Sequence, residues 1–447
     1  MTTVTLSIVA VFCVGYFLIA IERVTKINKA AIALLMLVAT WTLFMLSPAD
    51  YITSAGDGGI VSAVNEVIEK HLGSTSTTLF FLMGAMTIVE LVDENGGFNF
   101  VCNVMRTRSK KRLLWHIAFM TFFLSAILDN LTISIVMIMI LRKLIADSRD
   151  RIIYASLVII AANSGGAFSP IGDVTTIMLW NKGVISTTGF IAELLIPSVI
   201  SMVVPAYVLS RSLKGQLEVS SNQIQAIQAS VLTAHERRTI FFLGVGGLIF
   251  VPVFKSITGL PPFVGILLVL GVLWAVTEMF YAHLKGEEEN GAMQKRVIHV
   301  LKQINISTIL FFLGILMAVA CLETIGVLTM LGNELNAAFN GNHYLITGII
   351  GVLSSIVDNV PLVAGCMGMY PVEPIGDMAV DGIFWQLLAY CAGVGGSMLI
   401  IGSAAGVVVM GMEKITFGWY MKHISWIAFV GYLAGMGFYW LERTFIL

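Results

Sequence analysis

ANSGGAFSPIGDVTT (162–176) and AGVGGSMLIIGSAAG (392–406) are two copies of one pattern. Gly165-Gly166 falls on Gly395-Gly396, and Gly172 falls on Gly402. Each copy sits inside a long apolar run, 151–182 and 382–412. Glycine loosens the backbone and proline removes a donor, so a helix entering Gly165–Pro170 should break there. Two further blocks repeat at nearly the same spacing. FFLMGAMTIVELVDENGG (80–97) lies against LFFLGILMAVACLETIGV (310–327), pairing Gly84 with Gly314, Asp93 with Glu323 and Gly96 with Gly326. LSAILDN (124–130) lies against LSSIVDN (353–359). Three blocks in one order at an offset near 230 residues make the chain a tandem of two related halves.

The surroundings of these motifs are apolar throughout. Of 447 residues, 57% are hydrophobic and 12% charged, and mean hydropathy is +0.90. A soluble domain carries about 25% charged residues. A net charge of −1 supplies no basic field for nucleic acid. The five cysteines, Cys13, Cys102, Cys321, Cys366 and Cys391, stand singly in apolar stretches and read as small buried hydrophobes. The chain is a polytopic membrane protein.

A helical span needs about 20 apolar residues. Ten segments qualify: 4–21, 30–46, 78–92, 152–181, 189–210, 239–255, 262–283, 307–323, 382–412 and 423–441. Segments 113–142 and 343–370 differ. Each is two short arms around a polar centre, Asp129-Asn130 or Asp358-Asn359. Arms of about 14 residues fall short of a crossing, so both are expected to be re-entrant hairpins. Lys and Arg set orientation. With both hairpins returning to the side they left, 22 of the 26 Lys and Arg collect on one side, leaving Lys70, Lys182, Lys255 and Arg443 on the other. Both termini then face outward. The first hairpin opens from the cytoplasm and the second from outside. The run 4–21 reads as an uncleaved first span.

The expected fold is all-α: two inverted repeats, each of five transmembrane helices plus one re-entrant hairpin, with one broken helix per repeat. The first repeat is 1–213, with hairpin 113–142 and broken helix 151–182. The polar stretch 214–238 is a cytoplasmic linker. The second repeat is 239–447, with hairpin 343–370 and broken helix 382–412. Five spans per half is odd, so the second half is upside down, the architecture of secondary transporters.

Unwound backbone at membrane depth survives only when buried or lining a cavity. Its carbonyls and half-helix ends can then hold an ion. Asp129 and Asp358 at the hairpin tips are intramembrane acids, which are costly unless used; the alternative is a structural cap satisfied by backbone N–H groups. Asp173, with Thr175 and Thr176 beyond it, is a third acid, or an N-cap of the second half-helix. Asn163 and Ser164 add neutral oxygens, unless they only pack helices. The second break carries Ser397 and Ser403 but no acid. Glu90, Glu193, Glu278, Glu323 and Glu413 fall near span ends and are expected at the interface, though Asp93 and Glu323 could form a relay. The seven histidines are placed mostly in loops, with no metal cluster and no nucleophile or nucleotide motif. An enzyme or sensor therefore has nothing to work with, and no cofactor is expected. No Lys or Arg is expected at the tips or breaks.

Carboxylates, amides and hydroxyls suit a hard cation. Desolvation favours a protonated carboxyl and a bound cation favours the ionised one. One carboxylate contested by H⁺ and a small monovalent cation, in a site facing one side at a time, yields cation/proton antiport that weakens in acid. The competing reading is a carrier of anions or oxyanions.

LDNLTISIVMI (128–138), NSGGAFSPIGDVTTIMLW (163–180) and SSIVDNVP (354–361) resemble the NhaD-type sodium:proton antiporter family. That family belongs to an ion-transporter superfamily with arsenite permeases and sodium/dicarboxylate carriers. The resemblance covers nearly the whole chain. It implies Na⁺ or Li⁺ exchanged for H⁺, a homodimer with a fixed scaffold, and elevator-like movement. Bacterial inner membranes and plastids are the family's locations, and here a bacterial inner membrane is expected. The alternative it leaves open is a dicarboxylate or arsenite permease. Carried over by position, the functional polar residues are Asp129, Asn163, Asp173, Thr175, Thr176, Ser354, Asp358, Asn359 and Ser397 or Ser403; with Asn130 and Ser164 beside them they make the expected ion-binding set. Na⁺ itself is assigned to Asp129, Asn163, Asp173, Asp358 and Asn359. The chain departs from two-fold equality at Ser403, which stands where the first half has Asp173.

Overall fold

The computed structural model describes residues 2–445 apart from 21, 53–58, 98–106, 108, 146, 214, 217–231, 283–296 and 357. Cys102, most of the linker and part of the basic clusters lie outside the described residues. What is described is helical, with one isolated bridge between Ser109 and Gln216. The first half contains α1 (Thr3–Ala20), α2 (Glu22–Thr25), α3 (Lys29–Phe44), α4 (Gly59–Glu94), α5 (Lys110–Leu128), α6 (Asn130–Leu144), α7 (Ser148–Ala167), α8 (Val174–Lys182) and α9 (Thr187–Ser212). The second contains α10 (Ala234–Thr258), α11 (Pro262–Tyr281), α12 (Val297–Gln303), α13 (Ile306–Thr324), α14 (Val327–Ala338), α15 (His343–Ser354), α16 (Asn359–Met369), α17 (Ile383–Gly395), α18 (Ala404–Glu413), α19 (Phe417–His423) and α20 (Ser425–Phe445).

By length and composition, six described helices can cross a membrane, or seven if the bent pair α19–α20 is one span. Of the shorter apolar helices, α6, α15, α16, α17 and α18 flank the reversals and breaks, whereas α1 and α3 do not. Several elements exceed what hydropathy marked. α4 begins at Gly59, well before the expected 78, because 59–77 is polar enough to hide from a hydropathy reading yet carries no proline to stop a helix. α14 appears where a loop was expected. α10 starts inside the expected linker, where Thr233 and Glu236 form a capping box. The described histidines, His71, His116, His235, His299, His343 and His423, all lie on helices rather than in loops. The helices simply outrun their apolar centres.

The chain reverses at both Asp-Asn pairs. Tyr154 Oη of α7 donates to the Lys110 carbonyl at 2.8 Å, and Lys110 pairs with Asp150. At the other end Ser125 Oγ of α5 donates to the Ala162 carbonyl of α7 at 2.6 Å. So α5 and α7 run parallel, and α6 must come back between them. α5 has 19 residues, longer than the arm expected from hydropathy, since Ser109 caps a first turn made of Lys110-Lys111-Arg112. The second half repeats this. Ser354 Oγ donates to the Ala392 carbonyl at 2.7 Å, and His343 rings pack on Phe384. α15 and α17 are therefore parallel, with α16 returning.

Both crossings need glycine for one reason. A Cβ at Gly165 would overlap the Phe122 carbonyl, and a Cβ at Gly395 would overlap the Gly351 carbonyl. Phe122 and Gly351 are themselves equivalent in the two halves. The half-helices that follow the breaks also match: Asp173 caps α8 at φ −146°, ψ 153°, and Ser403 caps α18 at φ −139°, ψ 154°.

Two groups of helices result. In one, α1 packs on α3, α3 on α13, α10 on α11, and α11 and α13 on α4. The other gathers α5–α9 with α15–α20, and α9 lies along α20. The breaks of α7–α8 and α17–α18 face each other at the centre of this second group.

Candidate functional site

α7 and α17 cross head to tail. Asn163 of α7 lies against Ser397, and Gly393 of α17 lies against Ala167. The four positions exchange with one another at the 230-residue offset. Around this crossing the described residues form one polar cluster. Asp173 is at its centre and 1% exposed. Its Oδ1 accepts from the Thr175 amide at 3.0 Å, so the helix cap uses one oxygen. Its Oδ2 accepts from Asn130 Nδ2 at 2.6 Å and from Asn359 Nδ2 at 3.3 Å. Asn130 also donates to Asn163 Oδ1 at 3.1 Å. Asn163 Nδ2 donates onward to Ser397 Oγ at 2.9 Å and Ser403 Oγ at 3.0 Å. Thr175 Oγ1 is buried beside the carboxylate without a partner in hydrogen-bond geometry.

Both chain reversals thus send an asparagine to the same oxygen of one carboxylate. Burying a carboxylate in this way demands hydrogen bonds, and two amide donors plus a backbone N–H provide them. Each Asp of the pairs points elsewhere. Asp129 has φ 67°, a backbone setting costly for a residue with a Cβ. Its Oδ1 accepts from the amides of Leu131 and Thr132 at 2.8 and 3.0 Å, and Oδ2 from Thr132 Oγ1 at 2.6 Å. It edges a small cavity of about 20 Å³ with Ile127, Ile171 and Leu248. Asp358 has an ordinary backbone at φ −50°. Its Oδ1 accepts from the Val360 amide at 3.2 Å, and its Oδ2 binds Lys29 Nζ at 3.1 Å.

That last contact corrects the expectation that no basic side chain reaches a tip. Lys29 counts in the sequence as one more charge on the basic side. In the structure it begins α3 deep enough to touch the second tip. A cavity of about 220 Å³ surrounds the pair, lined also by Glu22, Tyr16, Asn305 and Ser403. Glu22 of α2 and Lys29 at the start of α3 form part of its wall.

Of the expected set, Asn130, Asn163, Asp173, Thr175, Asn359, Ser397 and Ser403 come together. Thr176 completes the capping box on Asp173's own backbone. Ser164 accepts from Ser201 of α9 at 2.9 Å, and Ser354 of α15 donates to α17. Asp129 and Asp358 direct their bonds outside this cluster, although Asp358 lines one cavity with Ser403. Glu413, expected at the interface, is instead 7% exposed and receives Arg142 Nε and Arg151 Nε at 2.7 and 2.6 Å. Glu22 and Lys29 were not singled out by sequence because they flank spans, nor Tyr16 because it lies within the first one, and none belongs to a repeated block. Among the described residues no group of three or more His, Cys, Asp or Glu could hold a resident metal.

The citrate transporter family pattern (CitMHS) matches residues 16–388. Sodium/proton antiporter 1 of Arabidopsis thaliana is 46% identical over 96% of this chain and 71% of its own length. The Na(+)/H(+) antiporter NhaD of Alkalimonas amylolytica is 30% identical over 97% of this chain and 90% of its own. In overall fold the chain is similar to the crystal structure of the Alcanivorax borkumensis YdaH transporter, with a TM-score of 0.59 at 12% identity, covering 94% of this chain and 99% of that one.

Proposed function

The chain belongs to the family of the NhaD-type and plant sodium/proton antiporters, and on that premise we propose that this secondary transporter exchanges Na⁺ and Li⁺ for H⁺. One observation carries the reading. Asp173 is a buried carboxylate at the crossing of the two broken helices, bonded by amides and its own helix cap, with no basic group bonded to it among the described residues. Such a group needs a positive partner in every state that exposes it to neither solvent. A proton supplies one partner and a small cation the other. The oxygens of Asn130, Asn163, Asn359, Thr175, Ser397 and Ser403 lie within the same cluster and suit a hard cation.

The rest of the reading follows from this centre. The matched reversals, caps and crossings support two inverted repeats with re-entrant hairpins, bounded near 1–213 and 239–447. The separation of α1, α3, α4, α10, α11 and α13 from the site-bearing helices supports an elevator in which the second group slides on the first. The charge bias supports both termini outside, and the bacterial NhaD relatives support a bacterial inner membrane. A homodimer built on the first group completes the proposal.

The experiment is proton-gradient dissipation in everted vesicles from cells lacking other antiporters. NaCl and LiCl should collapse the gradient; choline chloride should not. As pH falls through the titration of the shared carboxylate, protons displace the cation. The apparent KM for Na⁺ should then rise by about tenfold per pH unit for one competing proton. Silence toward every cation from the inserted protein would refute antiport. The citrate transporter pattern favours a second reading, anion or oxyanion carriage, and labelled citrate, a labelled dicarboxylate or arsenite would then be the probe.

A further inference from the structure

Lys29 and Asp358 belong to different helix groups, yet their charges meet. Asp358 sits at the second reversal, beside Asn359, which reaches Asp173. Lys29 opens α3, and α3 is tied to α13, where Trp41 Nε1 donates to the Met317 carbonyl at 2.9 Å. The ammonium also lies 4.3 Å from the centre of the Phe311 ring of α13, so the scaffold side holds it by a cation–π contact. Asp358 Oδ2, which Lys29 engages, is the oxygen left over from the helix cap. An incoming metal cation would need that same oxygen.

The surroundings allow exchange. The pair is lined by the 220 Å³ cavity, and its side chains keep 28% and 20% exposure. Partly exposed pairs are weak enough to open. Glu22 lines the same cavity and accepts the Lys29 backbone N–H at 3.0 Å, so a released ammonium has a second acid at hand.

We propose that Lys29 is a tethered counter-cation of Asp358, which the entering ion must displace. Lys29 thereby sets the apparent ion affinity and pins the ion-free second tip to the scaffold. The tip leaves α3 only after its carboxylate has exchanged ammonium for ion. This rests on the antiport reading above and names a residue that tunes it.

The test uses the full chain in proteoliposomes, with KM and Vmax for Na⁺ measured separately. Lys29→Gln removes the competitor, so KM should fall about fivefold, the equivalent of the upper end of a partly exposed pair. Lys29→Arg restores a tethered cation and should return KM toward wild type. Phe311→Leu keeps the charge but loosens its hold and should lower KM by a smaller factor. An unchanged or raised KM in Lys29→Gln, with only Vmax altered, would overturn the inference and leave antiport intact. If Lys29→Gln does not accumulate, an unchanged KM in Phe311→Leu overturns it. A wild type without Na⁺-dependent flux sinks antiport and this inference together, and that is seen before any substitution.

Discussion

Replacing Asp173 by Asn separates the two jobs of this residue. As a helix cap Asn is as good as Asp, so the bond from the Thr175 amide survives. The amide NH₂ of the new side chain then faces Asn130 Nδ2 and Asn359 Nδ2, which are donors themselves. Flipping Asn130 to offer its oxygen breaks its bond to Asn163. At least one buried N–H stays unsatisfied, at about 1–3 kcal/mol. A protein with about 5–15 kcal/mol in hand still folds. The loss to ion binding is larger. A unit charge about 4 Å from a cation at an effective dielectric of 20 is worth about 4 kcal/mol, or about a thousandfold in affinity. Asp173→Asn should therefore accumulate and elute as folded protein, with a modestly lower Tm and no measurable Na⁺-dependent proton flux. Asp173→Ser provides a second arm. Ser403 already caps α18 in the same backbone conformation, so serine is a tested occupant of this geometry. Flux near wild type from either folded variant would refute the placement of the exchanging carboxylate at Asp173.

Other consequences concern packing. Gly165→Ala and Gly395→Ala each drive a methyl into a carbonyl of the neighbouring reversal; both should lose about 1–3 kcal/mol or more, read as a fall in Tm, whereas Gly246→Ala, inside α10 with nothing within 4 Å, should leave Tm unchanged or raise it by the equivalent of up to about 1 kcal/mol. Glu413→Gln leaves two guanidinium groups without their shared carboxylate. Because Arg142 is 46% exposed, the cost should be about 1–3 kcal/mol in thermal unfolding, below that of a fully buried pair, and a Tm equal to wild type would refute the packing role.

Much of the fold was legible from local chemistry. Helix ends and breaks answer to neighbours in sequence. Gly165-Gly166 and Pro170 end α7, Asp173 and Ser403 start the next half-helices, and the Asp-Asn pairs interrupt 113–142 and 343–370 near the expected places. Apolar text alone also placed most helices within a few residues. It missed α14 and the first 19 residues of α4, 59–77, because a short amphipathic helix and a largely polar one both fall below the signal of a span-length apolar run. The cluster was half legible. Asp173, Asn163, Ser397 and Ser403 stand in the repeated breaks, so the repeat points to them.

Which member of each Asp-Asn pair faces the centre was decided only by the tertiary structure. Sequence makes the charged residue the better candidate at both tips. In the fold, Asn130 and Asn359 converge on Asp173, because three carboxylates in one buried volume would repel, while amides donate to one. Asp129 turns to its own helix cap, and Asp358 turns to Lys29, 329 residues away. Local propensity acts over a turn or two of helix and is written in consecutive residues. The direction of a side chain at a chain reversal depends on what packs against it, and those partners are brought there by the whole fold.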